Sequence, residues 1–165
     1  MASEAVREGA VTANVLVICT ANRCRSPLAH GILRASCGAG IALRSAGVMA
    51  IPGLPPLLEV QELASANGID VSDLRSTPLT SALVTWADHL LVMEGYHVAI
   101  VRDRFGAHAA ARTRLLGSFH PDAALRGEID DPVGIGPSAL ERCFAQVEAC
   151  CRGFLRELSA TEPDS

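Results

Sequence analysis

The sequence predicts a single doubly wound α/β domain, a four-stranded parallel sheet with helices on both faces. Short apolar runs alternate along the chain with stretches of helical periodicity, the pattern of strand-helix units. The first run, Val15-Leu16-Val17-Ile18, is continuously apolar and largely β-branched, which suits a strand buried on both faces of a parallel sheet. The length of 165 residues is enough for one compact core and short of two.

Each element has its own signal. Residues 1–13 are mixed and polar and read as a tail. After the strand at Val15–Ile18 comes a polar loop from Cys19 to Arg25. Ser26-Pro27 then opens a helix to about Ser36, Ser suiting the cap and Pro the first helical position. Ile41–Ser45 reads as a second strand. Residues 46–56 hold Gly47, Pro52, Gly53, Pro55 and Pro56 and form an irregular loop. Leu57–Asn67 is a helix stopped by Gly68. Pro78–Trp86 reads as a short helix, His89–Met93 as the third strand, Tyr96–Arg104 as a helix and Thr113–Leu116 as the fourth strand. Residues 117–137 carry four Gly and three Pro and are mostly loop. Ser138–Leu158 is the clearest amphipathic helix, with Leu140, Phe144, Val147, Cys151, Phe154, Leu155 and Leu158 at three- and four-residue steps. Residues 159–165 read as a second tail, which leaves 14–158 as the domain.

Composition narrows the function. The net charge is -4 with no basic block, so nucleic acid is not an expected partner. No apolar run reaches the eighteen or so residues of a membrane span. The polar N-terminal stretch does not read as a signal peptide, and a cytoplasmic location is expected. The six cysteines, Cys19, Cys24, Cys37, Cys143, Cys150 and Cys151, then do not imply a disulfide framework. There is no pair of cysteines two residues apart and the five histidines are scattered, so no metal site is expected. All fourteen basic residues are Arg, which is a matter of genome composition.

The chemistry concentrates in the loop after the first strand, where a doubly wound sheet places its ligand. Cys19 is followed by five residues and then Arg25. That spacing alone is weak, because chance supplies roughly 0.5 matches in a chain of this composition. Cys150 and Arg156 repeat it inside a helix, where they lie about 240° apart around the axis and cannot converge. The Cys19 match sits between a buried strand and a helix start. A loop that wraps into a helix N-terminus points several backbone N–H groups at one spot, and with the helix dipole it binds a phosphate dianion. The candidate phosphate-binding residues are Thr20, Ala21, Asn22, Arg23, Cys24 and Ser26, and Arg25 adds a planar fork of donors. The same field favours the thiolate of Cys19. Ser26 is placed to donate a hydrogen bond to the sulfur.

The segment VLVICTANRCRSPLA resembles the phosphate-binding loop of the low-molecular-weight protein tyrosine phosphatases. Ser45-Ala46-Gly47, Asn67-Gly68-Ile69-Asp70 with Asp73 and Arg75, Ala87-Asp88 leading to Leu91-Val92-Met93, and Asp131-Pro132 are similar to further family segments in the same order. The resemblance spans roughly 14–158. It implies a monomeric phosphatase without metal or cofactor, acting on a phosphorylated protein or a small phosphate ester. Cys19 would be the nucleophile, Arg25 the phosphoryl-binding cation and Asp131 the general acid and then base, ranked ahead of Asp130 by the Pro that follows it. Asn22 would take a left-handed backbone conformation and, with Ser26 and Ser45, pin the loop. Cys24 would be a redox partner that protects Cys19 as a reversible disulfide.

The chain also departs from that pattern. Ala21 stands where the family usually has Gly, and Leu74 stands where it often has a His that supports Asn22. Arg23 stands before the second Cys, an aliphatic position in tyrosine phosphatases and Thr in related arginine phosphatases. A second guanidinium there would favour acidic substrates and disfavour phosphoarginine. The two segments that supply aromatic walls in tyrosine phosphatases hold Val48-Met49-Ala50-Ile51 and Val133-Gly134, which contain no ring. Phosphotyrosine in protein is the expected substrate, with phosphoarginine or a small anionic ester as the alternative. An arsenate reductase of the same fold would need relay cysteines in mid-chain, and residues 38–142 contain none. A binding module that has lost catalysis would not need Cys19, Arg25 and Asp131 together.

Overall fold

The computed structural model of the protein describes residues 12–161. In chain order the elements are β1 (Ala13–Cys19), α1 (Arg25–Ser36), β2 (Ile41–Gly47), α2 (Leu58–Ala66), α3 (Ser81–Trp86), β3 (His89–Val92), α4 (Gly95–Phe105), α5 (Ala107–Ala111), β4 (Thr113–Leu115) and α6 (Pro137–Ala160), with short 3-10 turns at Leu116–Phe119 and Ala123–Leu125. The expected tails fall largely on residues 1–11 and 162–165, outside the described residues. Ala13 already belongs to β1, and α6 continues past Leu158 to Ala160.

The sheet has four strands in the order β2-β1-β3-β4, and every pairing is parallel. Strand β1 is central, which explains its unbroken apolar run. Val15 and Val17 face one side with Leu91, against Leu28 and Leu33 of α1 and Phe144 and Val147 of α6. Leu16 and Ile18 face the other side with Leu90 and Val92, against Val84 of α3, Val101 of α4 and Ala109 of α5. The two faces thus have separate cores, and the doubly wound expectation holds. The chain leaves β1 for β2 on one side and returns across it to β3 on the other, so the carboxyl end of β1 is the topological switch point.

Several local expectations are corrected. Helix α1 begins at Arg25, with Cys24 as its cap residue and no side-chain cap, so Ser26 lies inside the first turn and its hydroxyl is available for another partner. The expected helix at Pro78–Trp86 is confined to Ser81–Trp86, with Thr80 Oγ1 accepting from Leu83 N–H as the cap. Pro78 instead makes a parallel bridge to Gly47, and Gly47 N–H donates to the Thr77 carbonyl at 2.9 Å. The stretch at 107–111 was not anticipated as a helix. It follows Gly106, whose φ of 93° breaks α4 and lets an alanine-rich turn restart. Helix α6 buries Leu140, Phe144, Val147, Cys151 and Phe154 along the expected stripe, and Pro137 occupies its first turn.

Candidate active site

Cys19 ends β1, and the chain wraps through residues 20–24 into α1. Asn22 makes that wrap possible with φ at 58°, the left-handed region that Asn tolerates better than most residues. The Asn22 side chain then holds the loop from both ends. Its Oδ1 accepts from Thr77 N–H at 2.9 Å, and its Nδ2 donates to Ser26 Oγ at 2.7 Å. Ser26 Oγ lies 2.9 Å from Cys19 Sγ. Because that oxygen already accepts from Asn22, its own hydrogen is free to point at the sulfur. Asn22, Ser26 and Cys19 are all buried, so this chain of hydrogen bonds is shielded from water. Gly47 closes the back of the loop. A Cβ there would lie 2.6 Å from the Thr20 carbonyl oxygen and 2.9 Å from Asn22 N, so only glycine permits the approach.

Within the described residues, the backbone N–H groups of residues 20–25 donate to no protein acceptor. They gather at the start of a twelve-residue helix, beside the sulfur. Unpaired N–H groups in a loop that runs into a helix N-terminus are the usual makings of an anion site.

Arg25 is 2% exposed and is held from behind. One guanidinium nitrogen, Nη1, donates to Glu94 Oε2 at 2.7 Å and to the Ile129 carbonyl at 2.8 Å. The other, Nη2, lies 3.5 Å from Thr20 Oγ1 and 4.0 Å from Asp131 Oδ2. Burial works against its charge, but the Glu94 hydrogen bond and the charges of Cys19, Asp131 and Glu94 prevail and hold its pKa above the ordinary value. Among the described residues, Glu94, Glu128 and Asp130 bring ligand oxygens within 4.8 Å of one another. Of the three, Glu94 is committed to Arg25 and Glu128 accepts from Gly95 N–H at 2.7 Å.

A cavity of about 230 Å³ opens over the sulfur, lined by Cys19, Thr20, Ala21, Arg23, Cys24, Arg25, Leu57, Asp131 and Val133. The sequence-derived residues therefore converge, with one exception. Ser45 pairs in register with Val17, two residues short of Cys19, so it sits about 7 Å below the loop. Its hydroxyl lies 3.2 Å from His30 Nδ1, and the expected pin on Asn22 comes from Thr77 N–H instead. That backbone donor also supplies a support for Asn22 although position 74 is Leu. Asp131 lines the cavity and accepts from Val133 N–H at 3.0 Å, while its neighbour Asp130 is not part of the lining. Arg23 is tied down, donating from Nε to the Pro55 carbonyl at 2.8 Å. Cys24 is buried, and its thiol pKa is pushed far up by that burial and by the charges of Cys143, Cys19 and Asp131.

Five participants escaped sequence reasoning: Thr77, Glu94, Tyr96, His97 and the Ile129 carbonyl. Glu94 had a legible signal, since it is a carboxylate directly after the carboxyl end of a strand adjacent to β1. His97 is fully buried, and its Nδ1 accepts from Glu94 N–H at 3.0 Å, so the remaining ring hydrogen sits on Nε2, 3.0 Å from Thr20 Oγ1. Tyr96 Oη hydrogen-bonds the same Thr20 hydroxyl, and its ring packs on His97 with centroids 4.1 Å apart. A ring therefore stands beside the loop, from neither of the two segments expected to carry one.

Burial, together with the Arg25 charge, pushes His97 down to about 4. Burial and Arg34 do the same to His30, also to about 4. The unfolded chain takes up these protons below about pH 6.5 and the native state resists until about 4. Stability is therefore full above pH 6.5 and lost as pH falls toward 4. The linkage predicts a loss of roughly 2 kcal/mol per histidine between pH 7 and pH 5. Urea unfolding at the two pH values measures it, and His30→Asn should remove about half of the slope.

Comparison with known proteins places this geometry in context. The family model described as low molecular weight phosphotyrosine protein phosphatase matches residues 14–163. A probable low molecular weight protein-tyrosine-phosphatase, EpsP of Ralstonia nicotianae, is 39% identical over 101 residues, covering 61% of this chain and 69% of its own. The solved YwlE arginine phosphatase from Geobacillus stearothermophilus superposes with a TM-score of 0.83 at 27% identity, covering 93% of this chain and 99% of that one. The tyrosine phosphatase Wzb from Escherichia coli K30, solved in complex with sulphate, gives a TM-score of 0.81 at 31% identity over 89% of this chain and 99% of its own.

Proposed function

The chain belongs to the low molecular weight phosphotyrosine protein phosphatase family, and from that premise we propose how its own residues divide the hydrolysis of a phosphate monoester. The observation that carries the reading is the set of unpaired N–H groups of residues 20–25 around the Cys19 sulfur. The phosphoryl oxygens take those donors and the Nη2 side of Arg25. The Cys19 thiolate attacks phosphorus in line, forming an S–P bond as the P–O bond to the substrate breaks. Asp131 delivers its proton to the leaving oxygen. The same carboxylate then takes a proton from the water that hydrolyses phosphocysteine, and Ser26 stabilises the departing sulfur. No step calls on a metal or cofactor, since N–H groups and one guanidinium neutralise the transferring group.

The substrate reading is phosphotyrosine in protein. Arg23 lines the cavity, and its positive charge opposes the guanidinium of phosphoarginine. Phosphate release from phosphotyrosine, phosphoarginine and phosphoserine peptides tests this directly. Turnover of phosphotyrosine well above the other two is the expected result, and a preference for phosphoarginine would refute it. Asp131→Asn should lower kcat for phosphotyrosine by about 10²-fold or more, and by much less for an ester whose leaving group needs no proton. Asp130→Asn in the same assay should change little.

A redox role for Cys24 fits the same cavity. Peroxide oxidises the Cys19 thiolate to a sulfenic acid, and the Cys24 thiol condenses with it, forming the disulfide and releasing water. A thiolate nucleophile at Cys19 is kept active by a reducing compartment, which favours the cytoplasm. Among the described residues no helix is long and apolar enough to cross a membrane.

A further inference from the structure

A second, larger cavity of about 580 Å³ lies between α2 and the start of α6. Its floor is apolar, made by Val60 and Leu63 of α2 and Leu140 of α6. Its acidic side chains are Glu59, Glu62 and Glu141. All three carboxylate residues are exposed, and none has a hydrogen-bond or ion-pair partner among the described residues. No Arg or His lines this groove.

The groove is continuous with the thiolate cavity, because Cys24, Leu57 and Val133 line both. The two ends carry opposite charge. Arg23 and Arg25 line the sulfur end, and three glutamates line the far end. A ligand that crosses from one to the other must be negative at the sulfur and positive beyond it, with apolar surface between.

We propose that this groove is a substrate subsite, which seats the polypeptide segment flanking the phosphorylated residue and selects a segment carrying an apolar and a basic side chain. The inference rests on the reading that the Cys19 loop dephosphorylates protein. It differs from the sequence expectation that Arg23 would favour acidic substrates. Arg23 stands at the sulfur end beside the phosphoryl site, whereas the three glutamates beyond it have no counter-charge of their own among the described residues. The opened groove suits an extended peptide better than a small metabolite, since its rim is solvent-exposed along both helices. An acidic segment would meet like charge on both walls.

The test uses two phosphotyrosine peptides that differ only in whether the residues beside an apolar flank are Arg or Glu, with phenyl phosphate as the substrate without flanks. For the intact chain, kcat/KM should favour the basic peptide by about tenfold at low salt, as the sum of three weak exposed pairings. The preference should appear in KM and shrink in 0.5 M salt at about one third of the low-salt Debye length. In the combined variant Glu59→Gln, Glu62→Gln, Glu141→Gln, the basic-to-acidic ratio should fall to about twofold or less. Equal kcat/KM for the two peptides in the intact chain overturns the proposal, and so does a ratio that survives in the combined variant. Absence of Cys19-dependent release from phenyl phosphate would instead strike the phosphatase reading. The groove is then read by fluorescence anisotropy of the same peptides on Cys19→Ser, where tighter binding of the basic peptide supports the subsite and equal binding removes it.

Discussion

Cys19→Ser will lose phosphate release from phosphotyrosine by on the order of 10⁴-fold or more, and it will still bind the phosphopeptide. The argument is one of division of labour. On the proposed mechanism the donors that hold the phosphoryl group are backbone N–H groups and Arg25, none of which the substitution removes. What it removes is the proposed nucleophile. A serine hydroxyl at this position has no general base beside it. The nearest polar side chain is Ser26, whose oxygen already accepts from Asn22. Asp131, the proposed acid for the leaving group, accepts from Val133 N–H. Attack therefore stalls at the first step. Steady-state phosphate release measures kcat, and calorimetry with a phosphotyrosine peptide measures Kd. An activity within tenfold of the intact chain would show that Cys19 does not carry the phosphoryl group.

Arg25→Lys should cost on the order of 10³-fold in kcat/KM, although it keeps the charge. The guanidinium serves two directions at once. Its Nη1 is spent on Glu94 and the Ile129 carbonyl, and only then is Nη2 aimed past Thr20 toward the loop. An ammonium has no such fork. Drawn to Glu94 it leaves the phosphoryl oxygens, and drawn to phosphate it leaves Glu94 and a buried carbonyl without a partner. Removal of one member of a buried ion pair also destabilises by roughly 3–5 kcal/mol. Arg25→Ala should approach that range in urea unfolding, and Arg25→Lys should recover part of it. Activity would not recover in parallel, because the phosphoryl contact depends on planar geometry as well as on charge. Equal kcat/KM for the Lys variant and the intact chain would show that charge alone suffices.

The pH prediction and these two share one structural cause. His97 Nδ1 accepts the Glu94 N–H, so a proton on that nitrogen breaks the turn that carries the carboxylate behind Arg25. Stability is therefore expected to fall from pH 6.5 downward, while the phosphate site of the folded chain holds its geometry until pH nears 4, where His97 takes its proton.

Much of this was legible in the chain itself. The unbroken run Val15–Ile18 suited a strand buried on both faces, because no solvent face was left to it. The order of apolar strands and periodic helices required a parallel sheet with two cores. The Cys19-to-Arg25 spacing, followed by Ser26-Pro27, placed a thiol, a cation and a helix start on one loop. These features depend on neighbours in sequence, where spacing and backbone propensity decide. Asn22 belongs with them, since a left-handed residue in a tight wrap is a local demand.

What the sequence left open lies in contacts between segments far apart in the chain. Glu94 and the Ile129 carbonyl reach Arg25 across 69 and 104 residues, so nothing near Arg25 announces them. Thr77 reaches Asn22 across 55 residues and takes the place expected of Ser45, because strand register sets Ser45 too low. Tyr96 is brought beside Thr20 by the adjacency of β1 and β3, which strand order decides and local pattern does not. The groove between α2 and α6 exists only where two helices distant in sequence diverge. Local sequence determined the reactive loop, and the sheet order determined what stands around it. Spacing along the chain controls the first, and only the packing of both faces of the sheet controls the second.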